Sequence, residues 1–310
     1  MGIRKWSLVA AATMTMLLPT TGEAKEVKRL GLAVANLQAN FFNQIKQSVE
    51  AYARERGIKV FTVDAKGDAA TQVSQVEDLL AQNIDALIYI PAGATAASVP
   101  VKAAHAAGVP VINIDRNAAR APGDTFITTD SVESARQACD YLAMKAGGKG
   151  EMLIIHGQKG TTPEVDRSKG CAIALQKYHD IKVVGELWSE GWHQDEGFNL
   201  TQDLLQAYPK TNIIFGEADA LALGAAQAVK VAKPSQHVWI AGFDGDPAAL
   251  EAIKNGVFDA TVTQQTQKMG RMAVDSAIAI VKGQKLPAQQ PQTATLTTKD
   301  NVAAFIAKHP

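Results

Sequence analysis

The sequence predicts an α/β protein built of two doubly wound parallel-sheet lobes. Short runs rich in aliphatic and β-branched residues alternate with stretches of helical period along almost the whole chain. Several runs, such as VINI, MLIIH and NIIF, lack polar alternation, which is typical of parallel strands covered on both faces. About ten β–α repeats exceed what one open twisted sheet usually holds, so two sheets are expected.

An eight-stranded β/α barrel is the competing arrangement. It requires eight repeats closed on one another, and this chain has too many repeats unless extra elements are added. In both arrangements a ligand binds beyond the carboxyl ends of the parallel strands. Functional residues are therefore expected where the predicted strands end.

Eleven strands are predicted, and a single helix separates most of them. In chain order the strands are RLGLAV (29–34), KVFTVD (59–64), ALIYIP (86–91), VPVINID (109–115), TFITT (125–129), EMLIIHG (151–157), KVVGELW (182–188), NIIFGE (212–217), VWIAGFD (238–244), DATVTQ (259–264) and TATLTT (293–298).

Nine helices are predicted from stretches with the period of an amphipathic or buried helix. They span residues 41–57, 68–82, 98–108, 132–147, 165–178, 195–208, 218–232, 246–256 and 267–283. Five of them end at a glycine, the residue that most easily adopts the left-handed conformation closing a helix. These glycines are Gly57, Gly108, Gly147, Gly256 and Gly283.

Residues 1–24 are predicted to be a signal peptide. MGIRK supplies the positive start, WSLVAAATMTMLLP a short apolar stretch, and Gly22-Glu23-Ala24 the small residues that a signal peptidase reads. The apolar stretch is too short and too mixed for a membrane span. Cleavage after Ala24 predicts a secreted protein of the periplasm, and no cysteine near that point offers a lipid attachment site.

The charge balance and the cysteines exclude several classes of protein. Lys plus Arg and Asp plus Glu each number 31, so the chain lacks the basic excess that nucleic-acid binding requires. The two cysteines, Cys139 and Cys171, both fall in predicted helices. They either pair in an oxidising compartment or remain as two buried thiols, and neither has the spacing of a metal ligand.

Aromatic and polar residues follow one predicted strand after another. They are Phe41 and Phe42, Asp115 and Arg116, Trp192, Glu217 and Asp219, Asp244 and Gln264. Aromatic rings cover the C–H faces of a sugar, whereas carboxylate and guanidinium groups bind its hydroxyls. The set indicates a cleft that holds a small polyhydroxylated ligand.

Each of these residues also has a purely structural interpretation. The Phe41–Phe42 pair is also typical of a hydrophobic core, and Trp192 could simply cover the surface of its lobe. Asp219 and Asp244 are also typical of helix caps or turns. Arg167, on the first turns of a helix, fits a solvated position. His156, His179 and His193 share no spacing, which argues against a metal or general-base role.

Enzyme motifs are largely missing from the sequence. The loop after the first strand reads ANLQANFF and lacks the glycines of a dinucleotide site. GQKGTT at 157–162 lacks the spacing of a phosphate-binding loop and fits a tight turn, and no G-x-S-x-G elbow is present. No enzymatic activity and no cofactor are predicted.

The order and spacing of these residues resemble the ribose-binding-protein family of periplasmic ABC-transporter receptors, the type I periplasmic binding proteins. The similarity runs from about Val27 to Thr298. The matching segments are Ala39-Asn40-Phe41-Phe42, Asp115-Arg116, Arg167 with Gly170, Trp192, Ala218-Asp219-Ala220-Leu221-Ala222-Leu223-Gly224-Ala225, Gly242-Phe243-Asp244-Gly245 and Gln264. Single motifs are weak, but their combined order is specific.

The resemblance implies two lobes joined by three hinge crossings near Thr129, Gln264 and Gln292. The N-terminal lobe is expected to comprise residues 25–129 plus 265–291. The C-terminal lobe is expected to comprise residues 130–264 plus 292–310.

The resemblance also implies the ligand-binding residues. The main set is Phe41, Phe42, Asp115, Arg116, Arg167, Trp192, Asp244 and Gln264, and a second set is Asn36, Asn40, Glu217 and Phe243. The lobes are expected to close on a sugar or polyol between the two phenylalanines and the tryptophan. The closed monomer then presents a composite surface to a membrane permease and its ATPase.

Four departures from the family pattern bear on the ligand. Positions where ribose receptors carry a polar group hold Ala35, Ala39, Ile90 and Ala218 here. Ribose hydroxyls would be buried there without partners, which argues against ribose itself and for another sugar, a polyol or an amino-polyol. Candidate replacement contacts are Asn36, Gln38, Asn40, Glu164, His193 and Glu217.

Two further roles are compatible with such lobes. A periplasmic sensor that reports ligand occupancy to a chemoreceptor or membrane kinase has the same sequence features as a transport receptor. A regulator of the lac-repressor type requires an N-terminal helix-turn-helix, but the predicted signal peptide stands in that place.

Overall fold

The computed structural model describes Gly2 and residues 25–309 of the chain. Apart from Gly2, the predicted signal peptide lies outside the described residues. The described chain forms two α/β lobes, each built on a six-stranded and mostly parallel sheet. The predicted fold class is confirmed, and the barrel arrangement is wrong.

The first lobe begins with three β–α units followed by two strands, after which the chain crosses to the second lobe for the first time. Its elements are β1 (Arg29–Val34), α1 (Asn40–Glu55), β2 (Lys59–Asp64), α2 (Ala69–Ala81), β3 (Ala86–Tyr89), α3 (Ser98–Ala106), β4 (Val111–Ile114) and β5 (Thr125–Thr129).

The second lobe continues the same alternation. Its elements are α4 (Ser131–Lys145), β6 (Lys149–His156), α5 (Thr162–Leu175), β7 (Asp180–Trp188), α6 (Gln194–Ala207), β8 (Thr211–Gly216), α7 (Asp219–Ala232), β9 (Trp239–Asp244), α8 (Pro247–Lys254) and β10 (Ala260–Thr263). The chain then returns to the first lobe with α9 (Thr266–Val281) and β11 (Gln289–Gln292), and ends in the second with β12 (Thr295–Thr298) and α10 (Val302–Ala307).

The strand order is the same in both lobes when their elements are compared. It is β11-β5-β4-β3-β1-β2 in the first sheet and β12-β10-β9-β8-β6-β7 in the second. Only β10 and β12 pair antiparallel among the described strand pairs. The chain crosses between the sheets after β5, after β10 and after β11. The exact lobe boundaries given above remain a prediction.

Helices cover both faces of each sheet, which is why the central strands are mostly apolar. In the first lobe, Ile45 of α1 and Val274 of α9 belong to one core cluster, whereas Val76 of α2 belongs to another. In the second lobe, Leu221 of α7 and Leu142 of α4 likewise belong to separate clusters. All four residues of β3 and of β4 are buried.

Two elements were not predicted. β11 reads QQPQ and has no apolar pattern, and it lies at the edge of the first sheet, where a proline inside a strand is tolerated. α10 is a six-residue helix with only Val302 buried. All five predicted helix-closing glycines have positive φ, between 68° and 81°.

The two cysteines form a disulfide. Cys139 of α4 and Cys171 of α5 are both fully buried, and their Cα atoms are 5.2 Å apart. The paired alternative left open by the sequence is the one observed. Within the part of the chain that is described, no helix has both the length and the apolar character needed to cross a bilayer.

Candidate ligand-binding cavity between the lobes

A cavity of about 280 Å³ lies between the two lobes, where the carboxyl ends of both sheets face each other. The first lobe contributes the β1–α1 connection and the end of β4, and the second lobe contributes four of its strand-to-helix connections. The lining residues are Gln38, Ala39, Asn40, Phe41, Phe42, Asp115, Arg116, Pro163, Arg167, Trp192, His193, Gln194, Ala218, Ala220, Leu223, Asp244, Asp246 and Ala248.

Charged side chains from both lobes meet in this cavity. Arg167 Nη2 lies 3.5 Å from Asp244 Oδ1 in its own lobe and 4.0 Å from Asp115 Oδ1 across the cleft. Arg116 Nε lies 3.7 Å from Asp115 Oδ2. All four groups are buried, so the attraction between them is screened far less than at a surface.

Burial dominates the titration of these groups. It raises the pKa of Asp115 above the ordinary value, although Arg167 and Arg116 oppose the shift. It also raises the pKa of Asp244 well above its ordinary range, against the nearby Arg167. Burial lowers the pKa of Arg116 to about 10. The neighbouring charges thus do not fully offset the cost of burying these ionised groups. Ligand hydroxyls that hydrogen-bond to them would stabilise the ionised forms.

Aromatic rings surround the guanidinium groups. Phe41 and Phe42 meet edge to face with ring centroids 5.3 Å apart. The Arg116 guanidinium lies 5.1 Å from the Phe42 ring centroid and 5.6 Å from that of Trp192 in the other lobe. The Arg167 guanidinium lies 5.5 Å from the Trp192 ring centroid, so the tryptophan is close to both cations.

Three buried donors in this region lack a hydrogen-bond partner among the described residues. They are Nε of Arg116, Nε of Arg167 and Nε1 of Trp192. Buried polar atoms in native proteins are nearly always bonded, so unpaired donors clustered at one cavity indicate a ligand rich in acceptors.

Backbone strain also concentrates at the cavity. Asp115, Trp192 and Asp244 have φ values of 60°, 64° and 135°, in the region that favours glycine. Such conformations cost about 1–3 kcal/mol each and recur at ligand-binding sites, because the surrounding fold holds a side chain in a required direction.

The cavity brings together most of the predicted ligand-binding residues. The predicted residues that line it are Asn40, Phe41, Phe42, Asp115, Arg116, Arg167, Trp192 and Asp244. Gln264 is not among the lining residues; its Nε2 donates to Asp244 Oδ1 at 2.9 Å. Phe243 packs on the Arg167 guanidinium, with its ring centroid 3.9 Å away.

Asn36 and Glu217 lie elsewhere. Asn36 lines an adjoining cavity of about 380 Å³, which shares Phe42, Arg116 and Trp192 with the first. Glu217 is fully buried, and its carboxylate accepts hydrogen bonds from Gly157 N and the Ser168 hydroxyl.

The remaining candidates take structural positions or join the wall. Glu164 accepts bonds from Gly160 N and from Trp188 Nε1, whereas Gln38 and His193 line the cavity. Asp219 accepts bonds from the main-chain N–H groups of Gly245 and Asp246, as the turn interpretation requires.

Arg167 has only 3% of its surface exposed, so its solvated interpretation is wrong. Phe41 and Phe42 belong to the core cluster of their lobe and also line the cavity, so both interpretations of the pair hold.

Sequence reasoning missed Asp246. This residue precedes α8 and accepts a hydrogen bond from Asn40 Nδ2 of the other lobe at 3.1 Å. The signal was present, since Asp246 stands two residues after Asp244 in the same strand-to-helix loop. Gln194, Leu223, Pro163, Ala220 and Ala248 were also missed, because neutral and small side chains give no distinctive pattern.

Across Gly2 and residues 25–309, no group of three or more histidine, cysteine, aspartate or glutamate side chains is placed to hold a metal ion.

A sequence profile of the periplasmic binding protein domain matches residues 30–285. The chain belongs to the periplasmic binding protein family. Among the curated periplasmic binding proteins similar to it, the ribose import binding protein RbsB of Bacillus subtilis is 34% identical over 269 residues, covering 86% of each chain. The xylitol-binding protein of Mycolicibacterium smegmatis is 31% identical over 289 residues, covering 92% of this chain and 81% of the relative.

Solved structures of periplasmic binding proteins share the fold. An ABC transporter solute binding protein from Bacillus halodurans C-125 with bound myo-inositol superposes with a TM-score of 0.85 at 26% identity. The match covers 93% of this chain and 100% of the other.

Proposed function

We propose that this protein is the periplasmic solute-binding component of an ABC importer and that it traps a small sugar or polyol by closure of its lobes. One observation supports this most: the charged and aromatic groups that line the cavity come from both lobes. Asp115 and Arg116 belong to one side, and Arg167 and Trp192 to the other. A ligand that contacts both sides favours the closed form by its differential affinity for that form.

The chemistry of the proposed wall suits a hydroxyl-rich ligand. Carboxylate and guanidinium groups bind hydroxyls through charge-assisted hydrogen bonds, each contributing about 1.5–3 kcal/mol. Phe41, Phe42 and Trp192 offer faces for the C–H groups. A handful of such contacts gives the roughly 8 kcal/mol that micromolar binding needs.

The proposed contacts follow the cavity. Phe41, Phe42, Asp115, Arg116, Arg167, Trp192 and Asp244 contact the ligand directly, with Asn40 at the wall. Gln264 acts through Asp244, because its amide holds that carboxylate at the hinge. Binding makes and breaks no covalent bond, so the ligand is recovered unchanged.

The relatives support a polyol or cyclitol as readily as an aldose. Ribose, xylitol and myo-inositol appear in the names of similar proteins. Two of the small residues that depart from the ribose-receptor pattern, Ala39 and Ala218, line the cavity. They leave apolar surface where ribose receptors place polar groups, so we propose that xylitol or myo-inositol binds more tightly than ribose.

A panel of ligands tests the proposal. Thermal unfolding of residues 25–310 is followed with D-ribose, xylitol, myo-inositol, D-allose and an amino-polyol, and each stabilising compound is titrated by calorimetry. A ligand at one hundred times its dissociation constant stabilises the folded state by about 2.7 kcal/mol. If none of these compounds shifts the transition or releases heat, the proposal is wrong. Co-purification with the permease and ATPase tests the transport role, and the elution volume tests the monomer.

A further inference from the structure

A partly buried polar cluster adjoins the cavity in the second lobe. It comprises His156 at the end of β6, Glu186 in β7, Glu217 after β8 and Ser168 in α5, and we call it the His156 cluster. His156 is 2% exposed and Glu217 is fully buried. Neither is used by the proposed ligand contacts.

The contacts of the His156 ring favour its charged form. Nδ1 lies 3.0 Å from Glu217 Oε1, and Nε2 lies 3.2 Å from Glu186 Oε1. The Ser168 hydroxyl donates to Glu217 Oε1 at 2.7 Å and lies 3.0 Å from Nδ1. Both ring nitrogens face carboxylate acceptors, and a ring in which both nitrogens donate is an imidazolium.

Glu217 also bonds to Arg167 of the cavity wall and to Gly157, which packs against Trp192. Its main-chain carbonyl accepts a hydrogen bond from Arg167 Nη1, and its side-chain Oε2 accepts one from Gly157 N at 2.9 Å. Gly157 in turn supports Trp192, since a β-carbon at Gly157 would lie 1.8 Å from the Trp192 ring. Glu217 therefore helps to hold the Arg167 side chain directly and the Trp192 ring through Gly157.

We propose that His156 and Glu217 are a positioning pair that orients Arg167 and Trp192 for the ligand, so that ligand affinity depends on the protonation of His156. This rests on the proposed function. When His156 loses its proton, the buried carboxylate loses a charged donor. Arg167, which is already bonded to the Glu217 main chain, is then the cation available to neutralise the Glu217 carboxylate. In doing so it becomes less available to bind the ligand.

Surrounding charges set the range of this effect. Burial opposes the imidazolium, but hydrogen bonds to Glu217 and Glu186 keep the pKa of His156 above the ordinary value of 6.5. The ring also stacks on Trp188, whose Nε1 donates to Glu164 and whose face lies 4.7 Å from Lys159 Nζ. The charge is thus present below pH 6.5 and lost as the pH rises through the higher folded value. By linkage, ligand binding raises the pKa of His156 further.

The test measures the dissociation constant of the tightest panel ligand by calorimetry from pH 5.5 to pH 9. Wild-type affinity is expected to fall about tenfold as the pH rises through the His156 titration. His156→Gln should not show this fall in affinity. Glu217→Gln, which keeps the acceptor for Gly157 N but removes the charge, should also lack this fall in affinity. His237→Gln is the matched control, because His237 pairs with Asp259 at an exposed position of the same lobe.

The outcomes separate the two proposals. If wild type and His156→Gln share one pH profile, or if wild type shows none, the positioning pair is refuted while the receptor function stands. If no sugar or polyol binds at any pH, the receptor function fails. In that case, titration of the His156 ring by NMR in ligand-free protein still tests the positioning pair. A pKa of His156 at or below 6.5 would refute the proposed charged histidine. Thermal unfolding of each variant confirms that it is folded.

Discussion

At the scale of single residues, Gly157 packs closely against Trp192 of the cavity wall: a β-carbon at position 157 would lie 1.8 Å from the indole ring. The indole occupies the volume that any side chain at position 157 would need. The strained φ of 64° at Trp192 shows that the backbone, too, is committed to this placement. A small residue with an ordinary conformation therefore fixes the direction of a large one.

Gly157→Ala is expected to weaken ligand binding about tenfold or more, because the added methyl group displaces the Trp192 ring. Calorimetry with the tightest panel ligand measures the loss. Gly93→Ala is the matched control: its β-carbon would meet only the Gln158 side chain, at an ordinary 3.5 Å. Equal affinities for the two variants would contradict the supporting role of Gly157.

Arg167→Ala is expected to weaken binding by roughly tenfold to a hundredfold, the value of one or two charge-assisted hydrogen bonds. The same substitution also leaves Asp244 and Asp115 without their nearby cation. Arg120, which lies exposed in the first lobe, provides the control variant Arg120→Ala. Titration calorimetry at constant ionic strength checks both, and an Arg167→Ala protein that binds like wild type would remove this residue from the proposed site.

At the scale of elements, the disulfide joins two helices that pack on the same face of the second sheet. Cys139 of α4 and Cys171 of α5 belong to one core cluster with Leu142 and Phe215. The bond closes a loop between residues separated by 32 positions and so restricts the unfolded chain. An oxidising compartment such as the proposed periplasm is where such bonds persist.

Replacement of both cysteines by alanine is expected to lower the free energy of unfolding by about 3 kcal/mol, with ligand affinity little changed. Denaturant unfolding measures the first quantity and calorimetry the second. Wild type unfolded in the presence of a reductant should match the double variant. An unaltered denaturation midpoint under both conditions would argue that the bond contributes nothing to stability.

Elements were predictable from sequence where burial dictates residue type. β4 reads VINI because helices cover both of its faces, so its apolar run was sufficient to identify it. β11 reads QQPQ, and its pairing with β5 comes from tertiary context that no local pattern encodes. α10 has a single buried residue and therefore almost no amphipathic signal.

The cavity followed the same logic. Asp115 and Arg116 were predictable because a charged pair directly after a buried strand is unusual. Glu217 was expected in the wall from the same position after β8, but its side chain turns away toward His156, and strand position alone does not determine that direction. Asp246 accepts a hydrogen bond from Asn40, 206 positions away in the sequence, and no local pattern predicts such a contact.

At the scale of the whole molecule, several polar contacts between protein groups bridge the lobes. The Asn117 main-chain N–H donates to Thr162 Oγ1 at 3.1 Å, and Asn40 Nδ2 donates to Asp246. At the second crossing, the Thr129 hydroxyl donates to Gln264 Oε1. These bonds favour the closed arrangement by an amount that adds to the effect of the ligand.

Thr162→Val is expected to reduce ligand affinity about fivefold, although Thr162 lines neither cavity, because the closed form loses one hydrogen bond between the lobes. Calorimetry measures the affinity, and small-angle scattering should show a larger radius of gyration for the ligand-free variant. Thr201→Val is the control, since this buried hydroxyl in α6 has no partner within the described residues. Identical binding by both variants would mean that the bridging bond does not contribute to closure.

The first lobe is completed by segments near the C-terminus, which are synthesised late. α9 contributes Met269 and Val274 to its core, and β11 completes the edge beside β5, yet both follow the entire second lobe in sequence. A nascent polypeptide that has emerged only as far as β10 therefore cannot finish packing its first domain. For a protein that we propose to be exported, the first lobe therefore cannot complete its core until nearly all of the chain has left the ribosome.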